Sequence, residues 1–467
     1  SIKYVSLCSK DGVSLMKKSS QESSREFISI GLMLFALFFG AGNLIFPVFL
    51  GQNAGWNTPW ATIGFLITGV GLPFAAVLAI CYSGAGLKEL ASRVHPVYGV
   101  LFSSLLYLTI GPFFAIPRTA TVSFEIAAAP FLTDAQKTIG LYVFVFIFFL
   151  LSWWLAVTPS KLVPRIGKVI TPMLLLFLFI LIGSSILFPM GPWMEPSAAY
   201  SAPLKAFTNA LVEGYNTMDC LAGLVFGVIV VESIRFFGVK TNEEVARSAM
   251  KSGLISTFFM FIIYASLVVL GADSISVLGH METGAPVLSG ASAYYFGTSG
   301  AVLLGLIVIL ACLTTSIGLI ASCAAYFHQL FPMLHRQTWA ALFAGFSFLI
   351  ALFGLSAIIK GAIPVLLFLY PLAVSLIILT FLDKRFDGSQ KVYALATACT
   401  FVPALYDGLK MLKLTTSAMD QFMHSLPLAE YDMAWTLFFI TGFVLGFIWH
   451  KAADKAADKA PATAESN

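Results

Sequence analysis

Charged side chains are scarce in this sequence: Asp, Glu, Lys and Arg together make up 11% of 467 residues, while 58% are hydrophobic. A soluble chain of this length needs a polar surface that such a composition cannot supply, so a soluble globular protein is excluded. Cysteine is sparse as well. Of the six, none stands in a CxxC pair, and Cys81, Cys220, Cys312, Cys323 and Cys399 fall in or beside apolar stretches where a thiol packs as a small hydrophobe. Neither a disulfide framework nor a cysteine metal site is implied. The six histidines are scattered and form no HExxH, which argues against a metalloprotease. No P-loop, GxSxG or nucleotide motif is present, so a primary pump or a serine hydrolase lacks its working parts. The net charge of +4 gives no reason to invoke nucleic acid. No enzyme and no cofactor is expected.

What the sequence does have is long apolar segments, with a mean hydropathy of +0.89. They lack the ten-residue alternation of a membrane barrel and suit helices crossing a hydrocarbon core of roughly 30 Å. The expected fold is an all-α integral membrane protein with about twelve transmembrane helices in the lipid bilayer, at 27–50, 59–82, 98–128, 139–157, 167–188, 207–233, 250–271, 299–327, 338–354, 362–382, 390–406 and 432–450. Pro112 and Pro117 give the third a reason to bend. With the N-terminus inside, 21 basic residues fall on the cytoplasmic side and 5 outside, leaving Arg118 within a span. That asymmetry predicts both termini in the cytoplasm. Residues 1–26 read as a polar leader before a retained first span rather than a cleaved signal, and 451–467, with its doubled Lys-Ala-Ala-Asp, as a solvated tail.

Two of the spans are interrupted. In the first, FFGAGNLIFP at 38–47 sets Gly40, Gly42 and Asn43 in mid-span; in the sixth, Gly214, Tyr215, Asn216 and Thr217 follow Glu213. Unpaired backbone groups at membrane depth persist only where protein or a polar cavity receives them, which is the signature of a transporter site. If five helices, an odd number, form one repeat, residues 27–206 and 207–388 are expected as two inverted repeats whose broken helices run antiparallel at the midplane. The second half of span one is read as starting near Leu44, with Pro47 in its first turn. Its free N–H groups suit a carboxylate, and the carbonyls ending each first half suit an ammonium group or a metal cation. A zwitterionic amino acid fits both, with Gly40, Ala41, Gly42, Asn43, Gly214, Tyr215, Asn216 and Thr217 as candidate substrate contacts. The alternative for the glycines is close helix packing.

Few polar side chains sit within the spans, and each has two readings. Asn43 and Thr217 either contact substrate or cation or cap the following half-helix. Thr314, Thr315 and Ser316 supply three adjacent hydroxyls to a cation or bond back to their own helix. Asp219 at mid-membrane must be protonated, paired or wet. Arg118 needs an acid, with Glu125, Glu213 and Asp219 as candidates, and acts either in a gate or coupling pair or on the substrate directly. Phe38, Phe39, Tyr215 and Phe226 are candidate pocket walls.

FFGAGNLIFP at 38–47, GPFFAIPRTATVSFE at 111–125, EGYNTMDCLAGLVFG at 213–227 and LTTSIGLIAS at 313–322 resemble the bacterial branched-chain amino acid:cation symporters, over about 25–450. The order of elements more distantly resembles the leucine-transporter-like fold of the amino acid-polyamine-organocation superfamily, which implies ten core helices in two inverted repeats and 389–450 as two peripheral spans. The resemblance implies uptake of leucine, isoleucine or valine across a bacterial inner membrane, driven by a cation, usually sodium. It implies that Thr314 and Thr315 side chains and the carbonyls of Ala311, Ala36 and Phe39 hold that sodium. The chain departs from the family pattern at Asn216, where an apolar residue is expected, and at Cys220, where a smaller one is. A proton-coupled carrier of another small solute, such as a nucleobase or a different amino acid, with Asp219 as proton carrier, is the alternative; a membrane enzyme would need a catalytic set, and a channel repeated filter segments or an oligomeric pore, whereas the matched breaks point to alternating access.

Overall fold

The computed structural model describes residues 27–157, 162–236 and 238–459. The leader at 1–26 and the end of the tail at 460–467 lie outside them. The described residues are helical throughout their length, with short connections and no strand. Eight helical stretches are long and apolar enough to cross a membrane, and a ninth is obtained when one bent pair is joined. Every predicted span falls mainly on helix.

The first span is two helices, α1 (Phe27–Phe38) and α2 (Ala41–Ala54). The second comprises α3 (Thr58–Leu66) and α4 (Leu72–Ser83) joined by a π turn. After the short α5 (Leu87–Ser92), the third runs through α6 (Pro96–Leu108) and α7 (Ala115–Ala127). Its predicted bend is present: Gly111, with φ −96° and ψ −125°, leaves the helix just before Pro112. Next come α8 (Asp134–Val157) and α9 (Leu162–Leu187). The sixth span is α10 (Pro203–Glu213) and α11 (Asp219–Phe236), bent by 46°.

Then follow α12 (Asn242–Leu278), α13 (Gly284–Leu330), α14 (Arg336–Ala351), α15 (Leu355–Leu382), α16 (Gln390–Met411), α17 (Ser417–His424) and α18 (Trp435–Lys459). Local signals set these limits. Thr241 caps α12 by accepting from the Glu244 amide at 3.3 Å, Pro96 and Pro203 open α6 and α10, and α13 is broken at Gly297 (φ 64°).

The helices without a break shield those with one. On α8, Val143, Phe146, Ile147 and Leu150 are exposed, as a lipid-facing helix requires. The interior is assembled from α2 on α12, α4 on α11, α3 on α10 and α7 on α13. Between α2 and α12 the backbones themselves touch. A Cβ on Gly51 would come within 1.9 Å of the Val268 carbonyl oxygen, and one on Gly271 within 2.0 Å of that of Val48. Without a hydrophobic drive between helices in lipid, such close approach is how they gain packing.

Candidate functional site

The first break is sited by hydrogen bonding rather than by Pro47. The Phe39 amide still bonds to the Phe35 carbonyl at 2.8 Å, Gly40 is extended (φ −127°, ψ −162°), and α2 starts at Ala41. The break therefore precedes the expected start near Leu44. The cause is Asn43, whose Oδ1 accepts the Gly40 amide at 3.1 Å and closes the helix start one turn earlier. Pro47 consequently lies in the second turn of α2, where its missing N–H leaves the Asn43 carbonyl without a helical donor.

The Asn43 amide group does more than cap. Its nitrogen donates to Asp219 Oδ2 at 2.6 Å and to the Tyr264 hydroxyl, which itself donates to the same Oδ2 at 3.0 Å. Asn43, Asp219 and Tyr264 are 2%, 4% and 0% exposed, so α2, α11 and α12 are joined by a buried polar triad.

The second break closes differently. Gly214–Thr217 forms a 3-10 turn, Met218 is left-handed (φ 64°), and α11 begins at Asp219. Thr217 Oγ1 donates to the Gly214 carbonyl at 2.9 Å and accepts the Asp219 amide at 3.3 Å. The freed carbonyls of Asn216 and Thr217 are taken by Arg118, through Nη1 at 2.6 Å and Nη2 at 3.1 Å.

This corrects the expected acid partner. Among the described residues Arg118 forms no ion pair with Glu125, Glu213 or Asp219. Glu125 is seven residues away on α7, about 10 Å along the axis. The carbonyls lie nearer and lack other donors, so they satisfy the guanidinium. Its carbon also lies 5.1 Å from the centre of the Phe46 ring, and a Cβ on Gly42 would meet Nη2 at 2.7 Å. Glycine at 42 is what lets the arginine reach the first turn of α2.

A narrow cleft lies between the breaks. Gly40, Ala41, Gly42, Asn43, Thr217, Asp219, Arg118 and Thr315 line it, and Leu37, Phe38, Ile110, Phe226 and Leu319 supply apolar walls. Glu213, Tyr215 and Asn216 instead line a second cleft, on the other side of the turn. There Tyr215 stacks on Tyr370 with ring centres 4.1 Å apart. Gly214, Ala36, Phe39, Ala311, Thr314 and Glu125 line neither cleft. Phe39 stacks on Phe35 at 4.9 Å. Thr314 and Thr315 both donate to the Ala311 carbonyl, at 2.8 and 3.1 Å, and of the two only Thr315 reaches the first cleft, beside Gly40.

Residues 23–453 match the family described as "Branched-chain amino acid transport protein". The chain belongs to this family. It is 44% identical over 426 residues to the branched-chain amino acid permease BrnQ of Bacillus subtilis, covering 91% of this chain and 96% of that protein. It is 39% identical over 413 residues to the branched-chain amino acid transport system 2 carrier protein of Pseudomonas aeruginosa, covering 88% and 93%. Among solved structures it resembles Mhp1, a nucleobase-cation-symport-1 family transporter in a closed conformation with bromovinylhydantoin bound, with a TM-score of 0.59, 15% identity and coverage of 93% and 92%. That likeness concerns the fold.

In this member of the branched-chain amino acid transport protein family, sequence reasoning missed Tyr264 and Met218. A tyrosine in an apolar span reads as a core aromatic, and its only signal is that a buried hydroxyl needs a partner. Met218 gave none, because a left-handed residue is expected to be glycine or asparagine.

Proposed function

We propose that the protein imports leucine, isoleucine and valine together with a cation, sodium first, by alternating access across a bacterial inner membrane with both termini in the cytoplasm. The observation that carries this is the single cleft on which both helix breaks converge, polar at the breaks and apolar around them. The amides opening α2 suit the substrate carboxylate, and Phe38 and Phe226, whose rings are 6.0 Å apart, suit a branched aliphatic side chain.

The twelve-span arrangement with repeats at 27–206 and 207–388 and peripheral spans in 389–450 is part of the same reading. Its support lies in which helices pack together. An inverted repeat relates span one to six and two to seven, so a contact between one and seven calls for a counterpart between six and two. Both occur, as α2 on α12 and as α10 and α11 on α3 and α4.

Sodium is assigned to the Thr314 and Thr315 hydroxyls with the carbonyls of Ala36, Phe39 and Ala311. A hydroxyl that donates its proton keeps lone pairs for a cation, so the bonds to Ala311 leave both threonines competent, while the Ala311 carbonyl must release one of them. A second reading is favoured by Asp219, a buried carboxylate facing the cleft and suited to carry a proton.

Radiolabelled leucine uptake into proteoliposomes, with sodium and proton gradients imposed separately, tests substrate and coupling together. Uptake should follow the sodium gradient and be competed by isoleucine and valine but weakly by lysine or glutamate, whose second charge would be desolvated. Equal competition by lysine overturns the substrate assignment. Uptake driven by the proton gradient alone moves the coupling to Asp219.

A further inference from the structure

Arg118 lies in an electrostatically unfinished position. It is 5% exposed, and two of its five N–H groups are spent on the Asn216 and Thr217 carbonyls. No acceptor meets the other three among the described residues, and Nε is buried without a partner. The guanidinium also sits against Gly42 in the first turn of α2, where the helix dipole is already positive and the first amides point away from the helix. Two positive centres packed together call for an anion between them.

The nearby anion does not fill that role. Asp219 directs Oδ2 to Asn43 and Tyr264 and, among the described residues, makes no ion pair with Arg118. Both residues line the same cleft. One wall thus offers a surplus of donors and positive charge, and the other a carboxylate.

We propose that Arg118 and Asp219 are the residues that read the two charges of the substrate: the unspent N–H groups of Arg118 join the α2 amides on the α-carboxylate, and Asp219 Oδ1 takes the α-ammonium. This rests on the amino-acid reading of the cleft and turns it into a rule, that both ends of the zwitterion are required. A neutral or singly charged solute leaves a buried charge unanswered on one wall.

The test uses three ligands that share the leucine side chain: leucine, leucinamide without the carboxylate, and 4-methylpentanoate without the ammonium. Each competes with radiolabelled leucine on the purified full-length protein in saturating sodium. In the parent both analogues should bind at least 100-fold more weakly than leucine. Arg118→Gln should narrow the leucine-to-leucinamide gap at least tenfold and leave the 4-methylpentanoate gap in place. Asp219→Asn should do the reverse.

Arg118→Lys keeps the charge without the fork and should narrow the leucinamide gap by less than Arg118→Gln, which keeps the question answerable if the glutamine variant does not fold. Variants that retain the parental melting profile but weaken all three ligands equally would overturn the proposal, since both residues would then be structural. A parent that binds no leucine sinks the amino-acid reading itself, a different failure from one in which leucine binds and the gaps stay fixed.

Discussion

The two broken helices solve one problem with opposite chemistry. Between α1 and α2 the side chain of Asn43 closes the gap, and Ala41 and Gly42 beside it line the cleft. Between α10 and α11 the freed carbonyls are bound by Arg118, a cation built into the chain. The first break offers donors to a ligand, whereas the second has already been answered from within. Matched interruptions are therefore not equivalent sites, and a mobile cation has little to gain at the sixth-span carbonyls while Arg118 holds them.

The strongest way to break this contrast is Asn43→Ala. It removes the cap of α2 and a charge-assisted bond to Asp219, together about 2–4 kcal/mol. Leucine uptake should fall to background and the melting temperature in detergent should drop. A variant with parental uptake would mean that the first break is held by something other than Asn43.

Gly42→Ala comes next, paired with Gly40→Ala. The added Cβ at 42 collides with Arg118 Nη2, whereas at 40 it meets the Thr315 side chain at an ordinary 3.5 Å. Overpacking of this kind costs about 1–3 kcal/mol, so transport by Gly42→Ala should fall roughly ten- to a hundredfold while Gly40→Ala stays near the parent. Equal defects would dissolve the link between Gly42 and the arginine.

Thr315→Val and Thr314→Val sharpen the comparison on the cation side. Both should raise the sodium concentration for half-maximal uptake, and leucine affinity should suffer mainly when sodium is limiting, because linkage is reciprocal. The larger shift belongs to Thr315, which alone of the two lines the cleft. An unchanged sodium dependence in both folded variants makes the hydroxyls structural.

The smallest effect is expected from Thr217→Val, which loses the cap on the Asp219 amide, about 1 kcal/mol. A thermal shift as large as that of Asn43→Ala would show the two closures to be energetically alike.

Both breaks were legible as glycine and polar side chains within apolar spans, and the helical intervals as apolar runs between basic loops. The partner of Arg118 was not. Every residue carries a carbonyl, so a guanidinium bound by backbone leaves no letter in the sequence, and reasoning about charge looks for an acid instead. The start of α2 differs from the expected one for a related reason: Pro47 is a visible signal, and although Asn43 reads as a candidate cap, only its bond to the Gly40 amide fixes the start at Ala41. Tyr215 and Thr217 lie in one short turn yet line different clefts, because a 3-10 turn directs neighbouring side chains to different sides.

That turn has an electrical consequence. The two clefts meet the same turn, Asn216 lining one and its neighbour Thr217 the other, and Tyr215 beside them stacks on Tyr370. Where aqueous clefts approach a thin backbone partition from both sides, the transmembrane voltage falls across it instead of over the whole hydrocarbon thickness. One elementary charge crossing the full drop is worth about 2.3 kcal/mol per 100 mV. If both clefts fill with water, a charge passing Thr217 would cross much of that drop within a few ångströms. Arg118, anchored at the partition, biases the local field there without itself having to travel.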